Sequence, residues 1–224
     1  TGVQTCALPI LPHMEQSDGW VDVYAVAYFT EVKALAGEGA FDEAWNTLAR
    51  ARRTAARRRL RQLELLADIA EVDLQIVHGA SLDAALQAAG GAEIGRLAGM
   101  MWAQSPLYRP VAIGASLCQV KLDLLQGDFE AAMAELSRLR AWADQRGAGR
   151  LLIDINILAA YGHRGLGQGD AARACFDDAV GIAMFQNIVR PFVEARRFVQ
   201  TSLDEALEDR SEERRVGKEC RSRW

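Results

Sequence analysis

The sequence predicts an all-α fold, a right-handed α-solenoid of antiparallel helix pairs. Three observations carry that expectation. A turn of the form Gly-x-x-x-x-Ala recurs at Gly39–Ala44, Gly79–Ala84, Gly127–Ala132 and Gly169–Ala174, with its glycines 40, 48 and 42 residues apart. Each turn lies between two amphipathic runs whose apolar residues repeat about every 3.6 positions. No strand pattern of any length interrupts them. A helix pair of this kind cannot bury its apolar stripes alone, so successive pairs must stack.

Taken in order, residues 1–12 are expected to be a non-native leader, because TGVQTCALPI resembles translated sequencing-adaptor read-through and lacks periodicity. His13 to Gly19 is polar and reads as a short capping stretch. Val21, Ala25, Tyr28, Val32 and Leu35 then mark a first helix that ends at Gly37 to Gly39. Phe41, Trp45, Leu48 and Ala55 mark its partner. An arginine run follows, Arg50, Arg52, Arg53, Arg57, Arg58, Arg59 and Arg61. It reads either as a solvated face paired with acidic neighbours or as a docking patch for an acidic partner, centred on Arg52, Arg53 and Arg57.

Leu63, Ala67, Ala70, Leu74 and Val77 predict a long helix up to His78-Gly79, with Glu64, Asp68, Glu71 and Asp73 on its wet side. SLDAALQAAGG leaves only a short helix in the second repeat. A further helical stretch spans Ala92 to Gln104, where Met100, Met101 and Trp102 form a soft apolar cluster, either core or ligand-facing. Ser105-Pro106 is expected to break it. Residues 13–108 thus read as irregular repeats.

Residues 109–208 read as well-formed repeats. The stripes are Ile113, Leu117, Val120, Leu124; Phe129, Met133, Leu136, Leu139; Leu151, Ile155, Leu158, Gly162; and Ala172, Phe176, Ala179, Ala183. Gly127 and Gly169 are placed where a helix ends in a left-handed residue. Asp128 and Asp170 follow as N-caps or first-turn acids. Ala132 and Ala174 are small enough to let paired helices approach closely. A last helix is expected from about Arg190 to Glu208, with Pro191 in its first turn. Residues 209–224 are again expected to be a non-native tail.

The bulk numbers narrow the function classes. Half of the 224 residues are hydrophobic and a quarter are charged, the profile of a globular chain. The formal net charge is −4, and it becomes −6 without the tail from Ser211, which carries five basic and three acidic residues. An acidic body argues against broad nucleic-acid binding. With the ends excluded, Cys118 and Cys175 remain, with no metal-type spacing, and read as reduced core thiols. No apolar run approaches the ~18 residues of a membrane span and no signal peptide is visible, so a cytoplasmic location is expected.

Catalytic, metal and cofactor motifs are missing. There is no Gly-x-x-x-x-Gly-Lys-Ser/Thr loop, no His-Glu-x-x-His, no Cys-x-x-Cys and no Gly-x-Ser-x-Gly. The glycines from Gly165 to Gly169 and the Gly162-His163-Arg164-Gly165 string lack the strands that nucleotide loops and KH domains require, and they read as a repeat turn. No enzyme activity, metal or cofactor is expected of this segment.

The period near 40 fits a long variant of the tetratricopeptide class, whose standard repeat is about 34 residues. Arg109 to about Val199 resembles the tetratricopeptide-like region of large, ATP-binding LuxR-family transcription regulators of the MalT kind. The resemblance rests on LDLLQGDFEAAMAELSRLRAWADQRGAGR, on GQGDAARACFDDAVGIA and on Ile188-Val189-Arg190-Pro191-Phe192-Val193-Glu194. That last string is similar to the family's segment after its final repeat, with Ile188 in place of an aromatic residue and Ala195 in place of a glycine. The resemblance implies a sensor and scaffold region that binds an inducer or a regulatory protein and takes part in self-association. It also implies ATP binding only in a separate N-terminal module and DNA contact only through a C-terminal helix-turn-helix. The rival expectations are a free-standing tetratricopeptide protein-interaction module and a small all-helical enzyme.

Overall fold

The computed structural model describes residues 20–79, 81–100 and 109–208, and all regular structure among them is helical. The helices are α1 Val21–Gly37, α2 Phe41–Arg58, α3 Arg61–His78, α4 Leu82–Gly91, α5 Ile94–Gly99, α6 Arg109–Gln126, α7 Phe129–Asp144, α8 Gly149–Gly165, α9 Gly169–Gln186 and α10 Arg190–Glu194. Residues 196–208 form α11. The chain divides into two compact units, Thr1–Asp128 and Phe129–Trp224. Helix α6 packs on α3 and α5 and so belongs to the first unit.

The first unit is built around α3, which packs against α1, α2, α4 and α6. Its sequence carries two apolar stripes rather than one. Leu63, Ala67 and Leu74 meet Tyr24, Tyr28, Val32, Ala44, Leu48 and Ala51 of α1 and α2. Leu65, Ile69, Val72 and Ile76 are also buried, on a separate stripe with the same i, i+4, i+7, i+11 spacing. Around Ile69 this second stripe meets α6. A Cβ at Gly114 of α6 would lie 3.2 Å from Ile69 Cγ2, and Cys118 Sγ sits 3.7 Å from the Ile69 carbonyl. Two buried polar contacts fix α1 on α2: Tyr28 Oη with Thr54 Oγ1 at 2.9 Å, and Thr47 Oγ1 donating to Glu31 at 3.5 Å. Phe41 and His78 close the ends of α2 and α3, with ring centroids 4.5 Å apart.

In the second unit α8 is the central element, packed against α7, α9 and α10. Its buried run, Ile153 and Ile155 through Ala160, surrounds the helix because it is covered on more than one side. Helix α7 contributes Ala132, Leu136, Leu139 and Ala143, and α9 contributes Ala172, Phe176, Ala179 and Ala183. The α9 stripe is the one expected from sequence.

The repeated turn has a common geometry, but two of its registers differ from the sequence expectation. Gly39, Gly79, Gly127 and Gly167 take φ of 80°, 68°, 84° and 72°, a region glycine adopts at no steric cost. The fourth residue of the helix after each turn is an alanine buried to 1 % exposure or less: Ala44, Ala85, Ala132 and Ala172. In the fourth turn the left-handed residue is Gly167, not Gly169, which already lies in α9. The amides of Gly167 and Gln168 reach the Arg164 and His163 carbonyls, each at 2.9 Å, and so cap the last turn of α8. Ala174 is consequently exposed, about 200° around the helix from Ala172. In the second turn Ser81 is the N-cap, accepting from the Ala84 amide at 3.3 Å, so α4 starts one residue late and Ala85 replaces Ala84 in the crossing.

Candidate functional site

The end of the second unit carries an apolar groove. Helix α9 stops at Asn187, whose φ of 53° is left-handed, a conformation asparagine tolerates better than most residues. The Ile188 amide then bonds the Ala183 carbonyl at 2.9 Å. Three residues later Pro191 sits in the first turn of α10, where its missing N–H costs nothing. The chain bends again at Ala195, between α10 and α11, so the helix expected from Arg190 to Glu208 is broken in two. These two bends set α9, α10 and α11 around a concave surface of about 720 Å³. Val180, Met184, Val189, Phe192, Val193 and Leu203 supply most of its lining, with Asn187, Arg196 and Gln200 as polar members.

The walls are held from behind. The Phe192 ring packs edge-on against Phe176 at 6.2 Å between centroids, and Phe198 packs edge-on against Tyr161 at 5.2 Å. Glu194 accepts from Arg150 at 2.9 Å and from Arg190 at 2.7 Å, while Arg150 also reaches Asp154 at 3.2 Å. Arg164 bonds Ser202 at 3.1 Å and engages both carboxylate oxygens of Glu205 on α11. The hydrogen bond from Arg164 holds the Glu205 carboxyl below its ordinary range, and the same contact raises Arg164. Large apolar side chains remain uncovered at this end, with Met184 77 %, Phe185 92 % and Val189 70 % exposed. Such a surface has the composition of a binding groove: apolar, concave and sparing in polar groups.

The docking patch read from sequence is not a uniform face. The Arg52 guanidinium binds Asp68 at 2.9 Å and also Glu71, both on α3. Burial opposes its charge, but these two carboxylates outweigh it and raise its pKa. Arg61 pairs with Glu64 at 2.6 Å, and Arg58 lies 5.3 Å from the Tyr24 ring centroid. Arg53 and Arg57 are exposed, and Arg57 and Arg58 sit in the last turn of α2, where they complement the helix dipole. Met101, Trp102 and the Ser105-Pro106 break lie outside the described residues.

The described residues that line the groove include no Ser, Thr, Cys, Lys or His, and the two described cysteines lie outside it. Burial pushes the Cys118 thiol up to about 12, and it also raises Cys175 despite the neighbouring Arg140. Among the described residues no group of three or more His, Cys, Asp or Glu is placed to hold a metal ion, and no helix is long and apolar enough to cross a membrane. Sequence reasoning missed the groove, although Ile188, Val189, Phe192 and Val193 of the string that carried the resemblance line it. The usable signal was Asn187 followed four residues later by Pro191: a helix stop and then a helix start. Comparison with protein-family models, with curated proteins and with solved structures finds no match to this chain.

Proposed function

We propose that this chain is the sensor and scaffold repeat region of a LuxR-family, MalT-like transcription regulator. In this reading the helix pairs stack as a right-handed solenoid in the cytoplasm, bind an inducer or a regulatory protein, and mediate self-association. The observation that supports it most is the groove. The segment resembling the family's post-repeat string is also the segment that bends to make an apolar concavity. An effector acts there by population shift: it changes nothing unless it binds one arrangement of α9, α10 and α11 better than another. ATP and DNA belong to separate modules of such a regulator. Sequencing the source locus across both ends of the reading frame tests the proposal. A phosphate-binding loop upstream and a basic helix-turn-helix downstream are the expected result, and a frame that opens into neither sinks it.

The exposed apolar side chains also favour a second reading, a free-standing tetratricopeptide protein-interaction module. A groove that binds a partner helix needs no fused DNA-binding segment. That reading expects partner binding and no effect on transcription.

A further inference from the structure

The first helix of the described chain exposes a ridge of the same character as the groove. Trp20, the N-cap of α1, is 82 % exposed, and Val23 and Val26 are 51 % and 68 % exposed. The buried stripe of this helix, Tyr24, Tyr28 and Val32, packs into the core, and Trp20, Val23 and Val26 belong to neither of the core clusters formed by the described residues of this unit. Asp22 is exposed beside it, one helical turn before Val26. Among the described residues lining the groove, Arg196 carries the charge. A protruding apolar ridge flanked by an acid thus matches an apolar groove edged by a base.

We propose that a second copy of this chain fills the groove. The α1 ridge of one copy lies between α9, α10 and α11 of the next, with Trp20 as the buried anchor and Asp22 opposite Arg196. The inference rests on the self-association part of the reading above and names the surfaces that carry it. The contact is heterologous: each copy offers a ridge at one place and a groove at another. Assembly therefore continues head to tail, into a ring where the rotation closes and into a filament where it does not. Aromatic anchors in a desolvated pocket dominate such contacts, and the flanking charge pair sets orientation and encounter rate.

Sedimentation velocity on the full chain over a concentration series tests this, with Trp20→Glu and Val193→Glu as variants. Both side chains are solvent-exposed, so the variants are expected to melt like the parent by circular dichroism. The parent should grow in mass with concentration, and either variant alone should associate about 30-fold or more weakly. The decisive sample is the equimolar mixture. Trp20→Glu keeps a good groove and Val193→Glu keeps a good ridge, so the mixture should recover one dimer per pair and nothing larger. A parent that stays monomeric overturns the proposal, as does a mixture that recovers no dimer. Self-association of Trp20→Glu at parental strength points to a groove-to-groove pair and also overturns it. Should either variant fail to fold, the charge exchange decides. Asp22→Arg and Arg196→Asp each weaken assembly, and the double variant restores it; no restoration counts against the contact. The locus test above addresses the regulator reading separately, so either conclusion can fall without the other.

Discussion

Helices α3 and α9 are both 18 residues long, yet seven side chains of α3 are buried against four of α9. The difference lies in what covers them. Helix α3 has neighbours on two flanks, so both of its apolar stripes and most of its carboxylates are engaged: Asp68 and Glu71 with Arg52, and Asp73 with Lys121. Helix α9 spends one stripe on α8 and leaves Met184 and Phe185 in solvent. Amphipathic pattern therefore marks what a helix is able to bury, and the count of its neighbours decides how much it does bury. Exposed apolar side chains clustered on one helix end are a binding surface or a defect. The concave shape of the groove argues for binding.

Truncating one apolar side chain on each helix separates the two cases. Leu63 of α3 is fully buried, and Leu63→Ala is expected to cost about 2–5 kcal/mol, a transfer loss plus a cavity. Met184→Ala on α9 should stay within about 0.5 kcal/mol in the isolated chain. Urea denaturation followed by far-UV circular dichroism reads both. Equal losses would mean that the α9 face is already covered.

Electrostatics sharpens the α3 side. Burial pushes the Asp73 carboxyl up, but Lys121 and Lys33 outweigh it and hold the group below its ordinary range. A depressed carboxylate stabilises the fold above its unfolded value, near pH 4, and that stability drains away as pH falls through the lower folded value. Lys121→Met should cost about 1–3 kcal/mol at neutral pH. This is less than for a fully buried pair, because Lys121 and Asp73 keep 16 % and 21 % of their side-chain exposure. The loss should shrink between pH 5 and pH 3, since the variant no longer holds Asp73 ionised. A loss that does not change with pH would remove Asp73 from the account.

Neighbouring positions on α9 itself differ in the same way, Ala172 being buried and Ala174 exposed. Ala172→Leu inserts bulk into the α8 crossing and should cost about 1–3 kcal/mol, while Ala174→Leu points to solvent and should be nearly neutral. The pair tests the register of the fourth turn, where sequence reasoning slipped by two residues. Gly165, Gly167 and Gly169 all fit a Gly-x-x-x-x-Ala or a neighbouring spacing, and only the carbonyls left open by α8 choose among them. The second turn slipped by one for a similar reason: Ser81 out-competes the glycine spacing by capping. By contrast, the stripe of α9, which has one covered face, was legible residue by residue. Helices covered twice were legible on one of their faces: Leu63, Ala67 and Leu74 of α3 are buried as expected, and the stripe through Leu65, Ile69, Val72 and Ile76 was missed. On α6 the half-buried Ile113 and Leu117 stood out, while Val111, Ala115, Cys118 and Leu122 carry the contact. The groove escaped because it is made by two chain bends, at Asn187 and Ala195, and composition does not encode the angle between short helices.

The smallest expected effect separates two adjacent arginines. Both belong to the run that reads, in sequence, either as a solvated face paired with acidic neighbours or as a docking patch. Arg52→Gln removes a guanidinium shared by Asp68 and Glu71, whose side chains are 27 % and 33 % exposed. A shared, half-buried donor is worth more than an isolated surface pair, yet solvent screening keeps it small. The expected cost is about 0.5–1 kcal/mol, reduced in 1 M salt. Arg53→Gln should change nothing measurable in stability. If Arg52→Gln melts like the parent and also weakens binding of an acidic partner, its two carboxylates are incidental and the run serves as a docking face after all. If it destabilises while Arg53→Gln and Arg57→Gln leave partner affinity untouched, Arg52 secures α3 in the first unit and partners dock elsewhere than on this run.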